Sequence, residues 1–211
     1  MIRRRPSFIE EKALFSQGYR FIAGIDEVGR GALMGPVVAA AVILPEKINA
    51  RWKSRVCDSK QLTPGEREYL YDFISEIAVS IGIGASSNDE IDTFGIAKAT
   101  RMAMVKAITQ LSPAPQFLLI DYFELNEVNY PQKGIIHGDS ICFSIACASI
   151  IAKVTRDKLV AKMDIEYPGY GFAMHKGYGT EEHIACLRKR GPCPLHRRSF
   201  SPVSEMVGWM L

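Results

Sequence analysis

Apolar residues early in the chain fall into two dense runs, 21–25 and 36–44, joined by a glycine-rich connection. Runs of this length and composition read as strands, and the short link between them predicts a hairpin. A third strand is expected over 78–84. It follows a helix whose start is marked by Thr63, Pro64 and Glu66, a capping box with proline in the first turn, and whose buried stripe is Tyr69, Leu70, Phe73, Ile74 and Ile77. A long helical pattern begins after Asn88, with a break at Gly95, and offers Ile91, Phe94, Met102, Val105 and Ile108 as its apolar side. Pro113 and Pro115 then turn the chain into 117–120, a short apolar run ending at Asp121, which has the pattern of a central buried strand.

A second long helix is expected from Asp139 or Ser140 to about Met163. Its face of Ser144, Ala148, Ser149 and Ala152 is small enough for close packing. From Tyr167 onward the pattern changes to glycine, proline and aromatics, with one short helix near 181–190 stopped by Gly191 and Pro192. The domain reading is therefore a main α/β layer over 1–166, with a mixed sheet flanked by helices, and a small C-terminal extension over 167–211.

Composition narrows the function classes. The chain has 211 residues, 47% of them hydrophobic, which is enough for a sizeable core. Its longest apolar stretch, 141–154, is interrupted by Ser144, Ser149 and Lys153 and falls short of the roughly 18 to 20 residues needed to cross a bilayer. Arg3, Arg4 and Arg5 are followed by Glu10 and Glu11 where a secretory signal would need an apolar core, so the expectation is a cytoplasmic protein without membrane association. The five cysteines contain no CxxC pair and fit reduced thiols. His183, Cys186, Cys193 and His196 have a spacing that invites a zinc reading, against which stands ordinary packing at a helix end. The net charge of +3 decides little, but Lys176, Arg188, Lys189, Arg190, Arg197 and Arg198 concentrate positive charge late in the chain. That cluster suits phosphates, or simply decorates a helix end.

The chemistry lies in the acids. Asp26 and Glu27 sit at the end of the first run, Asp121 at the end of the later strand, and Asp139 at the start of the long helix. Ligands gather at the carboxyl ends of strands in open α/β sheets, so Asp26 and Asp121 converge if their strands are neighbours. Asp139, read alone, is an N-cap. Carboxylates held together repel unless a hard cation lies between them, and ligation by oxygen alone suits Mg2+ or Mn2+. Three or four such acids can hold two ions about 3.5 to 4 Å apart, an arrangement that hydrolyses phosphodiesters. Gly29, Arg30 and Gly31 follow the acidic pair. A bare backbone loop there can touch a sugar and read its 2′-hydroxyl. Ser59 and Lys60 offer phosphate contacts, and Tyr167, Tyr170, Phe172 and Tyr178, with His175 and Lys176, offer stacking surfaces.

Taken in order, GIDEVGRG (24–31), DSKQLT (58–63), LLID (118–121), HGDS (137–140), ASIIAKVTRD (148–157), YPGYGF with HKGYGT (167–180) and HRRSFSPV (196–203) resemble bacterial ribonuclease HII across nearly the whole chain. The resemblance implies a ribonuclease-H-like mixed five-stranded sheet with a C-terminal helical extension. It also implies that Asp26, Glu27, Asp121 and Asp139 are metal-binding catalytic acids, which moves Asp139 from cap to ligand. Gly29, Arg30 and Gly31 match the family's ribonucleotide-sensing motif, Tyr178 its junction-recognising tyrosine, and Ser59 and Lys60 its backbone contacts. The implied substrates are RNA/DNA hybrids and single ribonucleotides in duplex DNA, cut on the 5′ side to leave a 3′-hydroxyl and a 5′-phosphate. A monomer is expected, though no residue pattern in the chain decides it. Tyr122, Leu33 with Met34, and Cys147 depart from the family's usual residues, and Tyr122 is the one placed to narrow the site. The rival readings are a binding module without chemistry, and a metal nuclease with another substrate, such as long hybrids or DNA.

Overall fold

The computed structural model describes residues 5–207; Arg3, Arg4 and the end of the 167–211 extension lie outside the described residues. Helix α1 (Ile9–Ser16) precedes a hairpin of β1 (Ile22–Val28) and β2 (Val37–Ile43). Helix α2 (Pro64–Ile77), strand β3 (Ser80–Ser86) and helices α3 (Asn88–Phe94) and α4 (Ile96–Ile108) follow. Strands β4 (Phe117–Asp121) and β5 (Gln132–Ile135), the one-turn helix α5 (Gly138–Ile141) and the long helix α6 (Phe143–Glu166) complete the main layer. The extension carries α7 (Phe172–His175), α8 (Glu181–Arg190) and α9 (Val203–Val207).

The sheet order is β3-β2-β1-β4-β5. β1–β2 and β2–β3 are antiparallel, whereas β1–β4 and β4–β5 are parallel, so the sheet is mixed as expected. Both faces are covered. Along β2 the side chains alternate, Ala40 and Val42 packing toward α2 and α6, Val37, Ala39, Ala41 and Ile43 toward α4. That explains why all seven β2 residues are buried and why the strand reads as continuous apolar sequence.

Several boundaries and faces differ from the sequence expectation. β1 runs on to Val28 because its tail pairs with β2, Asp26 opposite Ala40 and Glu27 opposite Ala39, so the acidic pair lies within the strand. Helix α4 buries Ala99, Ala103, Met104, Ala107 and Ile108, while Met102 and Val105 lie at its margin and Phe94 on α3 is exposed. The cause lies in the sheet: an ideal Cβ at Gly82 or Gly84 would stand 1.9 Å from the Ala107 carbonyl oxygen or 2.0 Å from that of Ala103. The glycines let α4 press its alanine face directly onto β3.

Asp139 is not the cap of a long helix. It lies in α5, separated from α6 by extended Cys142. The start of α6 is satisfied instead by Glu11 of α1, whose buried carboxylate accepts the Ser144 N–H at 2.7 Å and faces the Cys142 thiol at 3.1 Å. The capping box of α2 forms as expected, with Thr63 and Glu66 exchanging side-chain and backbone bonds, a feature worth about 1 kcal/mol.

Candidate active site

Ile25 and Ile120 are in register across the parallel β1–β4 pair, which places the next residues, Asp26 and Asp121, side by side at adjoining strand ends. One pocket is lined by Asp26, Glu27, Asp121 and Asp139 together with Val28, Ser59, Lys60, Ser149, Lys153 and Tyr178. Residues more than a hundred positions apart thus meet there. Asp121 also fixes Asp139 indirectly, since its carboxylate accepts the Gly138 N–H at 2.7 Å in the turn that carries Asp139.

The electrostatics are those of crowded acids. Burial, then the charges of Glu27 and Asp121, pushes the Asp26 carboxyl well above the usual carboxylate range, and a hydrogen bond from Ser149 opposes the rise. Burial raises Glu27 against the pull of Arg30, whose guanidinium lies 3.3 Å from Glu27 Oε1. Asp121 is raised by burial and eased by the Gly138 N–H. Burial alone would lower the Lys60 ammonium, but Asp139 at 3.9 Å, with Asp58, Asp26 and Asp121, reverses the sign and raises it.

The donor set fits a hard divalent cation. All four carboxylates offer oxygen, and Glu27 Oε2 is buried without a hydrogen-bond partner, a costly condition that a cation would relieve. Among the described residues no three His, Cys, Asp or Glu side chains form a ready-made cage, so the acids line the pocket rather than meeting at a point.

Other sequence-predicted residues find varied places. Ser59 is buried and bonds the Ser149 hydroxyl at 2.9 Å, which makes it a support for the Ser149–Asp26 contact. Gly29, Arg30 and Gly31 begin immediately beyond Val28 and adjoin the pocket without lining it. Tyr178 lines it, half-buried, its ring 5.6 Å from the Arg156 guanidinium and 6.0 Å from Lys153 Nζ. Phe172 is fully buried and Tyr170 stacks on it, so these two belong to packing. Arg197, counted in the basic cluster, is completely buried and cannot meet a phosphate. Tyr122 is exposed and faces a neighbouring hollow with Arg30 and Arg101, outside the acidic pocket. Met34 and Leu33 pack the extension onto the loop.

The geometry gives the zinc reading no support. His183 and His196 do meet, Nε2 to Nε2 at 3.1 Å, but the Cys186 thiol bonds the Gly169 carbonyl, and no metal-binding group of three occurs among the described residues. Ser149 and Lys153 were missed by sequence reasoning. Their spacing, one helical turn apart and followed by Arg156 on the next, was the available signal.

The ribonuclease HII sequence profile matches residues 23–203. A ribonuclease HII from Dehalococcoides mccartyi (strain BAV1) is 54% identical over 202 residues, covering 96% of this chain and 95% of the relative. Among solved structures, ribonuclease H2 from Pyrococcus horikoshii OT3 superposes with a TM-score of 0.74 at 26% identity, covering 89% of this chain and 97% of that one. Bst-RNase HIII in complex with Mn2+ shares the fold, with a TM-score of 0.67 at 21% identity over 90% of this chain and 70% of that one. With the profile spanning most of the chain and a relative more than half identical along its length, this chain belongs to the ribonuclease HII family and is a type 2 ribonuclease H.

Proposed function

We propose that the chain hydrolyses the phosphodiester on the 5′ side of ribonucleotides, both in RNA/DNA hybrids and at single ribonucleotides in duplex DNA, leaving a 3′-hydroxyl and a 5′-phosphate. The observation that carries this reading is the single pocket lined by four carboxylates, with Tyr178 on its wall and the 29–31 loop beside it.

Asp26, Glu27, Asp121 and Asp139 are the residues to hold two Mg2+ or Mn2+ ions. When bound, such ions supply a nucleophile at neutral pH and charge stabilisation for the leaving oxygen. The protein's own contribution is placement. Ser149, backed by Ser59, orients the Asp26 carboxylate and favours its ionised form. Lys60 and Lys153 bring positive charge to the pocket wall, where a scissile phosphate needs it. The loop of Gly29, Arg30 and Gly31 presents backbone to the ribose, and Tyr178 presents a ring to the sugar at the RNA-to-DNA junction. The segment 167–211 acts as a substrate-contacting extension of the 1–166 catalytic unit.

The reading includes a monomer working in the cytoplasm, where the five cysteines remain free thiols. No helix among the described residues is long and apolar enough to cross a membrane. The test is incubation with duplex DNA containing one ribonucleotide, in Mg2+, in Mn2+ and in chelator. Metal-dependent cutting on the 5′ side of the ribonucleotide is expected; an uncut duplex in both metals would overturn the proposal.

A further inference from the structure

Arg156 on α6 and Arg197 in the extension are the largest fully buried side chains among the described residues, each with no exposed surface. Their hydrogen bonds end on backbone carbonyls. Arg197 donates through Nε to Gly35 O at 3.0 Å, through one terminal nitrogen to Arg30 O at 2.7 Å and through the other to Gly29 O at 2.7 Å. Arg156 donates to Pro36 O at 3.0 Å, Met34 O at 3.2 Å and Lys176 O at 2.9 Å. Five of these six carbonyls lie in the segment 29–36.

Burying two guanidinium groups is expensive, and apolar side chains would fill the same space at less cost but could not hold the carbonyls. In a trans peptide the C=O of one residue and the N–H of the next point in opposite directions. The only cis bonds among the described residues are Ser112–Pro113 and Ser201–Pro202. Because Arg197 draws the Gly29 and Arg30 carbonyls inward, the N–H groups of Arg30 and Gly31 face outward. Neither N–H donates to an acceptor among the described residues. The space around Gly31 is open, since a Cβ there would meet nothing within 4 Å. Gly29 is the counterpart below: at φ +91° its ideal Cβ would lie 2.2 Å from Arg156 Nε, so the guanidinium fills the volume that a side chain would need.

We propose that Arg156 and Arg197 are positioning residues for ribonucleotide recognition, holding the 29–36 carbonyls inward so that the Arg30 and Gly31 N–H groups stand as a paired donor for the ribose 2′-oxygen. This rests on the reading of the 29–31 loop as the ribose sensor. It adds the device that sets the loop's polarity and assigns the HRRSFSPV block a role away from the surface: Arg197 reaches the loop from beneath.

The test uses Arg197→Met, which keeps bulk and loses the donors, and Arg197→Lys, which keeps charge but cannot reproduce the guanidinium fork. The preference is read as the ratio of KM for a single-ribonucleotide duplex to the inhibition constant of the all-DNA duplex, a ratio independent of the active fraction. The Arg30 and Gly31 amide resonances of the free protein are recorded beside it. Both variants are expected to lose about tenfold in ribonucleotide preference, with all-DNA binding retained and both amide resonances displaced. Should Arg197→Met fail to fold, Arg197→Lys carries the same two readouts. Unmoved amide resonances in Arg197→Lys, or an unchanged preference, overturn the positioning role. A wild-type protein that binds both duplexes equally overturns the ribose-sensor reading instead, leaving the amide readout to decide the arginines.

Discussion

Asp121 and Gly138 are tied by a 2.7 Å hydrogen bond from the Gly138 N–H to the Asp121 carboxylate, so a strand-end acid also secures the turn that presents Asp139. Gly138 and Asp139 are both buried. Two substitutions at position 121 separate the roles. Asp121→Asn keeps an acceptor oxygen for the Gly138 N–H, whereas Asp121→Ala leaves that buried donor unpaired, at a cost of about 1 to 3 kcal/mol. Both variants are expected to lose metal-dependent cleavage, and only Asp121→Ala to unfold at markedly lower urea. Equal unfolding midpoints for the two would show that the bond does not secure the turn.

Much of this geometry was legible in the sequence, because strands buried on both faces carry dense apolar runs and the acids break those runs visibly. The parallel pairing of β1 with β4, which brings Asp26 beside Asp121, could be stated only as a condition. β5 escaped the periodicity analysis: its sequence QKGI is polar and only Ile135 is buried, as suits a sheet edge. Helix α1 escaped too, since its role lies in one long-range contact, Glu11 with the start of α6, which no local pattern reveals. The face of α4 was misjudged because it is set by glycines on β3 rather than by the helix's largest residues. The buried arginines were invisible for a similar reason: charge in a sequence reads as surface until its acceptors are known.

The acids predict an unusual dependence on pH. Burial and neighbouring charge raise Asp26, and burial raises Glu27 and Asp121, so over the range between their unfolded and folded pKa values the folded protein binds more protons than the unfolded chain. Stability in chelator therefore falls as pH rises through that range, the reverse of the usual carboxylate behaviour. Asp26→Asn removes the most buried of these charges. It is expected to melt at higher temperature than wild type at pH 8, to lose that advantage as pH falls through the raised Asp26 value toward the ordinary aspartate value of 3.8, and to be inactive with substrate binding retained. A variant that unfolds at pH 8 would make Asp26 structural.

The extension predicts the opposite slope. The Cys193 N–H donates to His196 Nδ1 at 2.9 Å, leaving His196 Nε2–H to donate to His183 Nε2, and His183 Nδ1–H to the Tyr178 carbonyl at 2.9 Å. The first two links each need an unprotonated ring nitrogen as acceptor, on His196 and on His183, so protonating either ring breaks one of them. Burial and the neighbouring histidine lower His196 to about 4, and burial lowers His183. Between the ordinary histidine value near 6.5 and about 4, the unfolded chain binds the extra protons, so this contribution is full above about pH 6.5 and lost on acidification. Amide exchange in 172–200 is expected to accelerate from pH 7 to pH 5, after correction for intrinsic rates, more than in β1 and β2. Uniform protection across that range would remove the histidine pair as the link between the 193–196 segment and Tyr178.

Tyr122 offers a prediction of stability without a change in chemistry. It has φ +72°, a left-handed conformation that costs a side-chain-bearing residue about 1 to 2 kcal/mol. The residue is 65% exposed, so little packing offsets that cost. Glycine removes the strain but loses more chain entropy on folding, about 0.5 to 1 kcal/mol, and the net expectation for Tyr122→Gly is a gain of up to about 1 kcal/mol. Since the ring faces the hollow with Arg30 and Arg101 and does not line the acidic pocket, kcat on a single-ribonucleotide duplex is expected to stay close to that of wild type. A large rise in kcat would mean that the tyrosine narrows the catalytic pocket after all. A loss of stability would mean that its contacts with Phe123 and its neighbours outweigh the strain of its backbone.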